Sequence, residues 1–273
     1  MKPTTISILG CGFVGYPLAK RLLAQGWRVR GATTSESKLT GFLSDGIEPY
    51  LLKLTPNLQG QGRRDFFDSE AMVINFPPGR RRKDVGRFME DAIASLLSYL
   101  ERGDVQRVLF VSSTSVYSAG VVREQDAGMQ PPASASGAAL LAAEKILRHS
   151  SGFETTILRY AGLYGYKRKP GKFWSGRFLR NPENVVNMLH RDDAVGVAME
   201  VIEQNCWGEI FNVCADQHPS RADFYTHAAL HLNIPPPVIQ SGGAQSNKVV
   251  IADKVKTRLG YTFKHPDPLR PAP

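Results

Sequence analysis

A glycine-rich turn close to the start of the chain limits the folds that this sequence can adopt. The apolar run Thr5–Leu9 leads directly into a GxGxxG pattern, and the amphipathic segment that follows ends at Gly26. The turn consists of Gly10, Cys11, Gly12, Phe13, Val14 and Gly15. Strand, turn and helix in this order are typical of a Rossmann unit, whose helix N-terminus offers N–H groups and a positive dipole end to a pyrophosphate. Although the bare pattern also occurs in ordinary turns, its context predicts that all six residues bind a dinucleotide.

Strand and helix patterns alternate along most of the chain. Short apolar runs predict strands at Thr5–Leu9, Arg28–Ala32, Met72–Phe76, Arg107–Val111, Thr155–Arg159 and, more weakly, Glu209–Val213. Helical periodicity covers Gly15–Gln25, Gly86–Arg102, Ala138–His149 and Asp192–Gln204. Because parallel strands need crossover helices on both faces of their sheet, the pattern predicts an α/β fold with a doubly wound parallel sheet.

The pattern loosens after about Gly165. Proline- and glycine-rich stretches such as 235–237 and 242–243 separate short helices there. We expect residues 1–273 to form a single NAD(P)-binding Rossmann domain, in which residues from about 165 contribute a small substrate-side lobe.

Composition narrows the classes of partner. The formal charge of +9 favours anions in general, but the densest basic run, Arg80–Lys83, lacks the interleaved aromatic residues of a nucleic-acid surface. We therefore predict no nucleic-acid partner. No stretch approaches the length of a membrane span, the start of the chain shows no signal-peptide pattern, and the three cysteines have no metal-ligand spacing. These features predict a cytoplasmic protein with no membrane contact and no bound metal.

The end of the second predicted strand bears on cofactor choice. NAD-binding proteins place an acidic residue there to bond the adenosine ribose, whereas this chain has Thr33 and Thr34. Without a carboxylate, the 2′-phosphate of NADP meets no repulsion, and Arg30 or Lys38 would assist its binding. The sequence favours NADP over NAD on this basis. The alternative is that the two threonines only cap the next helix.

Four later segments carry a resemblance to a known family. The segment Val108–Tyr117 resembles the SSxSVYG signature of extended short-chain dehydrogenases/reductases, and Leu158–Gly165, Asn187–Asp193 and Ile210–Val213 resemble that family's later motifs. The resemblance runs from residue 5 to about residue 262. Two features make the chain similar to the YeeZ-like atypical group of NAD-dependent epimerase/dehydratase-like proteins. It has GxGxxG in place of TGxxGxxG, and two prolines follow its fourth predicted strand.

The resemblance implies a set of site residues. Ser113 would hydrogen-bond the reacting oxygen of a substrate, and further residues would line the cofactor. These are Phe76, Pro77, Pro78, Ser112, Arg159, Ala161, Gly162 and Leu163. The family likeness also implies a homodimer formed through a helix bundle.

The usual catalytic pair of that family is missing from the expected helix. Aligned on Glu144, the tyrosine and lysine positions of YxxxK fall on Ser136 and Leu140. A serine hydroxyl cannot replace a tuned phenol as a proton donor near neutral pH, and leucine cannot lower a pKa.

Other residues are therefore candidates for the missing acid/base. Tyr117 is the first candidate for the missing phenol, and Tyr160 and Tyr164 are alternatives. His190 is a further candidate for the acid/base. All four residues are also compatible with packing roles. We predict Asp193 to brace the helix that follows it.

Two functions remain open at this point. The first is an NAD(P)-dependent oxidoreductase or epimerase/dehydratase-like enzyme that acts on a small substrate. If that substrate is an anion, an arginine from residues 80–82 or Lys83 would bind it. The second is a non-catalytic NAD(P)(H)-binding redox sensor or regulatory protein, which the missing pair would explain.

Overall fold

A seven-stranded parallel sheet forms the centre of the molecule. The computed structural model describes residues 5–78, 82–240, 242 and 247–270. The strands are β1 (Thr5–Leu9), β2 (Arg28–Thr33), β3 (Glu48–Leu51), β4 (Ala71–Ile74), β5 (Arg107–Ser113), β6 (Glu154–Tyr160) and β7 (Ile210–Val213). Their spatial order is β3-β2-β1-β4-β5-β6-β7. The predicted fold class, a Rossmann-type doubly wound α/β sheet, is confirmed.

Nine helices accompany this sheet in the described part of the chain. They are α1 (Gly15–Ala24), α2 (Leu39–Ser44), α3 (Arg63–Phe67), α4 (Val85–Leu100), α5 (Ala135–His149), α6 (Gly171–Trp174), α7 (Arg191–Glu203), α8 (Arg221–His231) and α9 (Asp253–Leu259). Four short strand pairs lie outside the sheet: Gly162–Tyr164 with Met188–His190, Phe178–Leu179 with Val238–Ile239, Gly120–Val122 with Lys248–Val250, and Lys53–Leu54 with Leu58–Gln59. None of the described helices is long and apolar enough to cross a bilayer.

Most strands occur where the apolar runs predict them. A strand that is covered on both faces of the sheet has a continuous apolar sequence, which makes it easy to predict. All four residues of β4 are buried, and so are Ile6 and Ile8 of β1. The sequence gives little sign of β3, whose residues are Glu-Pro-Tyr-Leu and which lies at the edge of the sheet. Edge strands need less continuous hydrophobicity, so pairing with β2 is sufficient to form it.

The strand order reverses beside β1, and this position determines where a ligand can bind. β1 lies between β2 and β4, and the chain then crosses over to build the other half of the sheet. Open α/β sheets bind ligands at the carboxyl ends of the strands that flank such a switch point. The glycine-rich turn follows β1 at this point.

Residues from about 165 onward bury a second, smaller apolar cluster. Tyr164, Val186, Met188 and Phe224 form it, and Tyr225 and Leu269 pack against it. This cluster supports α8 over the carboxyl edge of the sheet.

We predict that Gly10→Ala lowers the free energy of unfolding by more than Gly120→Ala does. Both glycines have a φ of +95°, which an alanine adopts only at a cost of about 1–3 kcal/mol. A Cβ at Gly10 would in addition lie 2.0 Å from the carbonyl oxygen of Asn75, whereas a Cβ at Gly120 would meet nothing within 4 Å. Urea denaturation of the two variants measures the difference, and equal losses would contradict the packing argument.

Candidate functional site

A large cleft lies along the carboxyl ends of five neighbouring strands. It has a volume of about 1270 Å³ and is lined by residues that follow β1, β2, β4, β5 and β6. The predicted site residues that line it are Gly10, Cys11, Gly12, Phe13, Val14, Thr33, Thr34, Phe76, Pro77, Pro78, Ser112, Ser113, Ala161, Gly162 and Leu163. The structure thus brings most of the predicted set together. Gly15, Tyr117 and Arg159 are the exceptions.

The glycine-rich turn presents donors to the cleft. Within the described residues, the backbone N–H groups of Phe13, Val14 and Gly15 make no hydrogen bond, as expected at the start of α1. A Cβ at Gly12 would meet no atom within 4 Å, so the missing side chain there leaves open space and serves no packing need. The turn therefore combines free donors, a helix dipole and room for an anion.

Gly15 has a different role from the one we predicted. It does not line the cleft, and a Cβ on it would come within 2.5 Å of the carbonyl oxygen of Gly10. The residue therefore lets α1 pack closely against the turn, and only its N–H group takes part in the donor set.

Cys11 fills space beneath the turn. Its side chain is buried, and burial raises the pKa of the thiol to about 12. Its N–H donates to the carbonyl oxygen of Ala32 at 2.9 Å and so ties the turn to β2. The thiol is therefore protonated at neutral pH, as expected of a packing residue.

The end of β2 offers one cation to the cleft. Lys38 lines the cleft near Thr33 and Thr34, and the Thr33 hydroxyl accepts a hydrogen bond from the N–H of Ser35 at 3.2 Å. Arg30 was expected to assist here, but its guanidinium turns away to the carboxylate of Glu48 and to backbone carbonyls near α3. Lys38 is thus the only one of the two predicted cations that faces the cleft.

A buried ion pair lies beneath the cleft. The guanidinium of Arg159 binds the carboxylate of Glu144 through two nitrogens, with its closest contact at 2.6 Å and both side chains about 3% exposed. The Ser112 hydroxyl donates to the same carboxylate at 2.5 Å. Arg159 therefore joins β6 to α5 and does not line the cleft, because its charge is paired with Glu144 beneath it.

Tyr117 belongs to the same buried network. Its hydroxyl accepts a hydrogen bond from Arg159 at 2.7 Å and donates one to the amide oxygen of Asn212 at 2.6 Å. Burial raises the pKa of this phenol to about 12, and the side chain does not line the cleft. The structure therefore does not support a catalytic role for Tyr117, which joins β7 to the core.

The other candidates for the acid/base are also buried. The Tyr160 hydroxyl donates to the carbonyl oxygen of Ala194 at 2.6 Å, and burial raises the pKa of this phenol. Tyr164 is buried outside the cleft. His190 is fully buried, and its Nδ1 accepts from the N–H of Asp192 at the start of α7. Asp193 accepts hydrogen bonds from the hydroxyl of Tyr261 and from the backbone N–H groups of Lys264 and His265, so it joins α7 to that segment, while His190 caps the helix.

Sequence reasoning missed several residues on the far side of the cleft. Phe173, Met188 and Tyr225 line it from α6, a short strand and α8, and Leu140 lines it from α5. The hydroxyl of Tyr225 makes no hydrogen bond with any described residue. These residues come from segments with weak periodicity, and no local pattern indicates which of their side chains turn toward the cleft.

The charge of the cleft is one-sided. Lys38, Arg82 and Arg168 line it, and no acidic residue does so among the described lining residues. The guanidinium of Arg82 is paired with the carboxylate of Asp84 at 3.1 Å, so the positive charge of the cleft comes chiefly from Lys38 and Arg168. Arg168 and Arg191 lie over the ring of Phe13, with guanidinium carbons 4.3 and 5.5 Å from its centre. Of the predicted basic clamp, Arg80 and Arg81 lie outside the described residues, and Lys83 does not line the cleft. The cleft therefore attracts anions along its length.

Comparison with known proteins assigns the chain to a family. The profile of the NAD dependent epimerase/dehydratase family matches residues 6–214. The chain belongs to this epimerase/dehydratase family. It is similar to the protein YeeZ of Escherichia coli K12, with 32% identity over 267 residues that cover 97% of both chains.

Two solved structures share the epimerase/dehydratase fold of this chain. One is the UDP-glucose 4-epimerase of Thermotoga maritima, solved with UDP-glucose, with a TM-score of 0.78, 18% identity and coverage of 95% of this chain and 94% of that one. The other is a short-chain dehydrogenase/reductase superfamily protein of Agrobacterium tumefaciens with bound NAD, with a TM-score of 0.73, 20% identity and coverage of 94% and 91%.

The fold also brings together three residues that could ligate a metal and whose spacing in the sequence does not indicate such a cluster. His190, Asp192 and His265 place potential ligand atoms within 4.8 Å of one another. The Asp192 carboxylate already accepts a hydrogen bond from the hydroxyl of Tyr166 at 2.9 Å. His265 is more than 70 residues from the other two, so only the fold brings the group together.

We predict that Glu144→Gln lowers the free energy of unfolding by about 3–5 kcal/mol. The substitution leaves the buried guanidinium of Arg159 without its counter-charge, which is the costly way to break a buried pair. Asp91→Asn is the control, since it breaks an exposed pair with Arg87 at 3.8 Å and should change stability little. Urea denaturation followed by circular dichroism measures both, and similar small effects would show that the pair is not structural.

Proposed function

We propose that this chain binds NADP(H) or NAD(H) in the cleft and transfers a hydride to or from a small anionic substrate held beside it. The observation that carries the proposal is the turn after β1, where three free N–H groups and the open space at Gly12 lie at the N-terminus of α1. This arrangement suits the pyrophosphate of a dinucleotide. Family membership and the NAD bound by the Agrobacterium tumefaciens protein support the same assignment.

The size and charge of the cleft support a second ligand beside the cofactor. Sites for one small ligand have volumes of roughly 300–1,000 Å³, and this cleft exceeds that range. Lys38 at the end of β2 suits the 2′-phosphate of the cofactor and the N–H groups of the turn suit its pyrophosphate, which leaves Arg168, beside Phe13, for the substrate. We infer that the substrate carries a carboxylate or phosphate.

The end of β2 supports a preference for NADP(H). Lys38 lines the cleft there, and no described residue forms an ion pair with it. Its ammonium group can pair with the 2′-phosphate that distinguishes the two cofactors, and the described cleft has no carboxylate to repel that phosphate.

Two side chains that line the cleft, Ser113 and Tyr225, can supply a hydrogen bond to the substrate's oxygen and a proton. Ser113 lines the cleft, and no described residue accepts the hydrogen of its hydroxyl, whose oxygen accepts from the N–H of Ser115 at 3.2 Å. It can therefore donate to a carbonyl oxygen. The bound cofactor would supply the hydride to the carbonyl carbon. Of the two tyrosines that line the described cleft, Tyr160 donates its hydroxyl hydrogen to the carbonyl oxygen of Ala194, so the phenol of Tyr225 is the one that can give the oxygen its proton.

One observation favours a second candidate function. Leu140 lines the cleft at the position where the family resemblance places a lysine, so no described cation of α5 lines the cleft. A protein that binds the cofactor without turnover, and signals its redox state through the residues around α8, would tolerate this substitution.

We predict that Gly12→Ala weakens NADPH binding at least tenfold while leaving the fold intact. The new methyl group would occupy the space for the pyrophosphate but touch no protein atom within 4 Å. Gly41→Ala, also without neighbours within 4 Å, is the matched control. Calorimetric titration measures the affinities, and failure of the wild-type protein to bind either NADPH or NADH would refute the proposed function.

The same titration tests cofactor preference. Lys38→Ala should weaken NADPH binding roughly tenfold, which corresponds to about 1.4 kcal/mol, and leave NADH binding unchanged, because only NADPH carries the 2′-phosphate. Equal effects on the two cofactors would remove the assigned role of Lys38.

We predict that Ser113→Ala and Tyr225→Phe each reduce turnover at least 100-fold without changing cofactor affinity. A positioned proton donor contributes roughly 10²–10⁴-fold to rate, and neither side chain is part of the glycine-rich turn. NADPH oxidation across a panel of carbonyl compounds that carry a carboxylate or phosphate is the measurement. Cofactor binding without turnover on the whole panel would instead support the sensor.

A further inference from the structure

Three apolar side chains form one wall of the cleft. Leu163, Phe173 and Met188 line the cleft on the side that the later part of the chain provides. The sulfur of Met188 lies against Gly162, where a Cβ would be 2.9 Å from it, so the two residues pack together just after β6. Phe173 is 47% exposed although it lines the cleft. A ligand that covers this ring would remove apolar surface from water, which favours binding.

The ring of Tyr225 continues this apolar wall. The helices α6 and α8 pack together, with the ring centres of Trp174 and Tyr225 6.2 Å apart, and both Phe173 and Tyr225 line the cleft. Aromatic rings pack favourably on other rings and on the sulfur of methionine. The wall therefore suits a ligand with an aromatic body.

Few polar side chains of the cleft are available to the hydroxyl groups of a sugar. The hydroxyl of Ser112 donates to the carboxylate of Glu144, and that of Tyr160 donates to a backbone carbonyl. Among the described residues from 161 onward, only Arg168 and Tyr225 bring a polar side chain to the cleft. A sugar ring has several hydroxyl groups, and each one that is buried without a partner lowers the affinity. This side of the cleft is therefore unsuited to a sugar.

We propose that the substrate is an oxo acid with an aromatic body, and not a sugar or a nucleotide sugar. This inference rests on the proposed function. The guanidinium of Arg168 binds the carboxylate, and the aromatic ring lies against Phe173, Met188 and Tyr225. The carbonyl carbon accepts the hydride of NADPH, which leaves as NADP⁺. The carbonyl double bond becomes a single bond, and its oxygen takes the proton of the Tyr225 hydroxyl, which water restores. The product is a hydroxy acid.

Calorimetric titration of the protein saturated with oxidised cofactor tests the proposal, because the oxidised form cannot reduce the ligand. The probes are phenylpyruvate, pyruvate and 2-oxogluconate, which share an oxo acid group. Their bodies are an aromatic ring, a methyl group and a hydroxylated chain. We expect phenylpyruvate to bind at least tenfold more tightly than pyruvate, since only its ring covers the apolar wall, and 2-oxogluconate to bind no more tightly than pyruvate.

Two substitutions separate the contacts to the ring from the contact to the carboxylate. Phe173→Ala should weaken phenylpyruvate binding at least fivefold and leave pyruvate binding unchanged. Arg168→Ala should weaken the binding of both acids at least tenfold, because they share the carboxylate. Phe178→Ala is the matched control. It removes a nearby phenylalanine that is 68% exposed and does not line the cleft, so both affinities should stay the same.

Equal affinities for phenylpyruvate and pyruvate, tighter binding of 2-oxogluconate, or equal losses in Phe173→Ala and Phe178→Ala would overturn the inference. Failure of both NADP⁺ and NAD⁺ to bind is a different result, because it refutes the proposed function. The same comparison of the three acids on the cofactor-free protein then still decides whether the wall selects an aromatic acid. Selective binding of phenylpyruvate without oxidation of NADPH would support the sensor and leave the assigned class of ligand in place.

Discussion

The buried pair of Glu144 and Arg159 is the interaction on which the geometry of the cleft depends. It joins α5 to β6, and the hydroxyls of Ser112 and Tyr117 extend it to β5 and β7. A pair with so little exposure persists only when its remaining hydrogen-bonding groups are satisfied, and the backbone carbonyl of Glu124 accepts one more of the arginine donors. The floor of the cleft is thereby held by an ion pair and by the hydrogen bonds around it.

Most of the fold could be predicted from the sequence because buried parallel strands leave a strong signal. Predicted and observed bounds of β1 agree, and those of β2, β5 and β6 differ by a few residues. The errors have physical causes. The edge strand β3 carries Pro49 and no β-branched run, and α5 begins earlier than its periodicity suggests because the Ser134 side chain caps it, accepting from the N–H of Gly137.

The candidate site could be predicted only where a local motif defines it. The turn after β1 and the ends of β4 and β5 line the cleft as expected, because each directly follows a strand. A motif does not show which way a side chain turns, and so Arg159 and Tyr117 do not line the cleft, although both lie in recognisable segments. Residues such as Tyr225 reach the cleft only through the packing of α8 on its own apolar cluster, which no short stretch of sequence encodes.

The absence of carboxylates from the described cleft lining also affects kinetics. Lys38 and Arg168 face a space bounded largely by apolar walls, and such walls concentrate the electric field that these cations create. A diffusing dinucleotide is then drawn in before any specific contact forms. Added salt shortens the range of that attraction to about 8 Å at physiological ionic strength. Ionic strength therefore acts chiefly on how fast ligands arrive, and much less on how long they stay once the turn holds them.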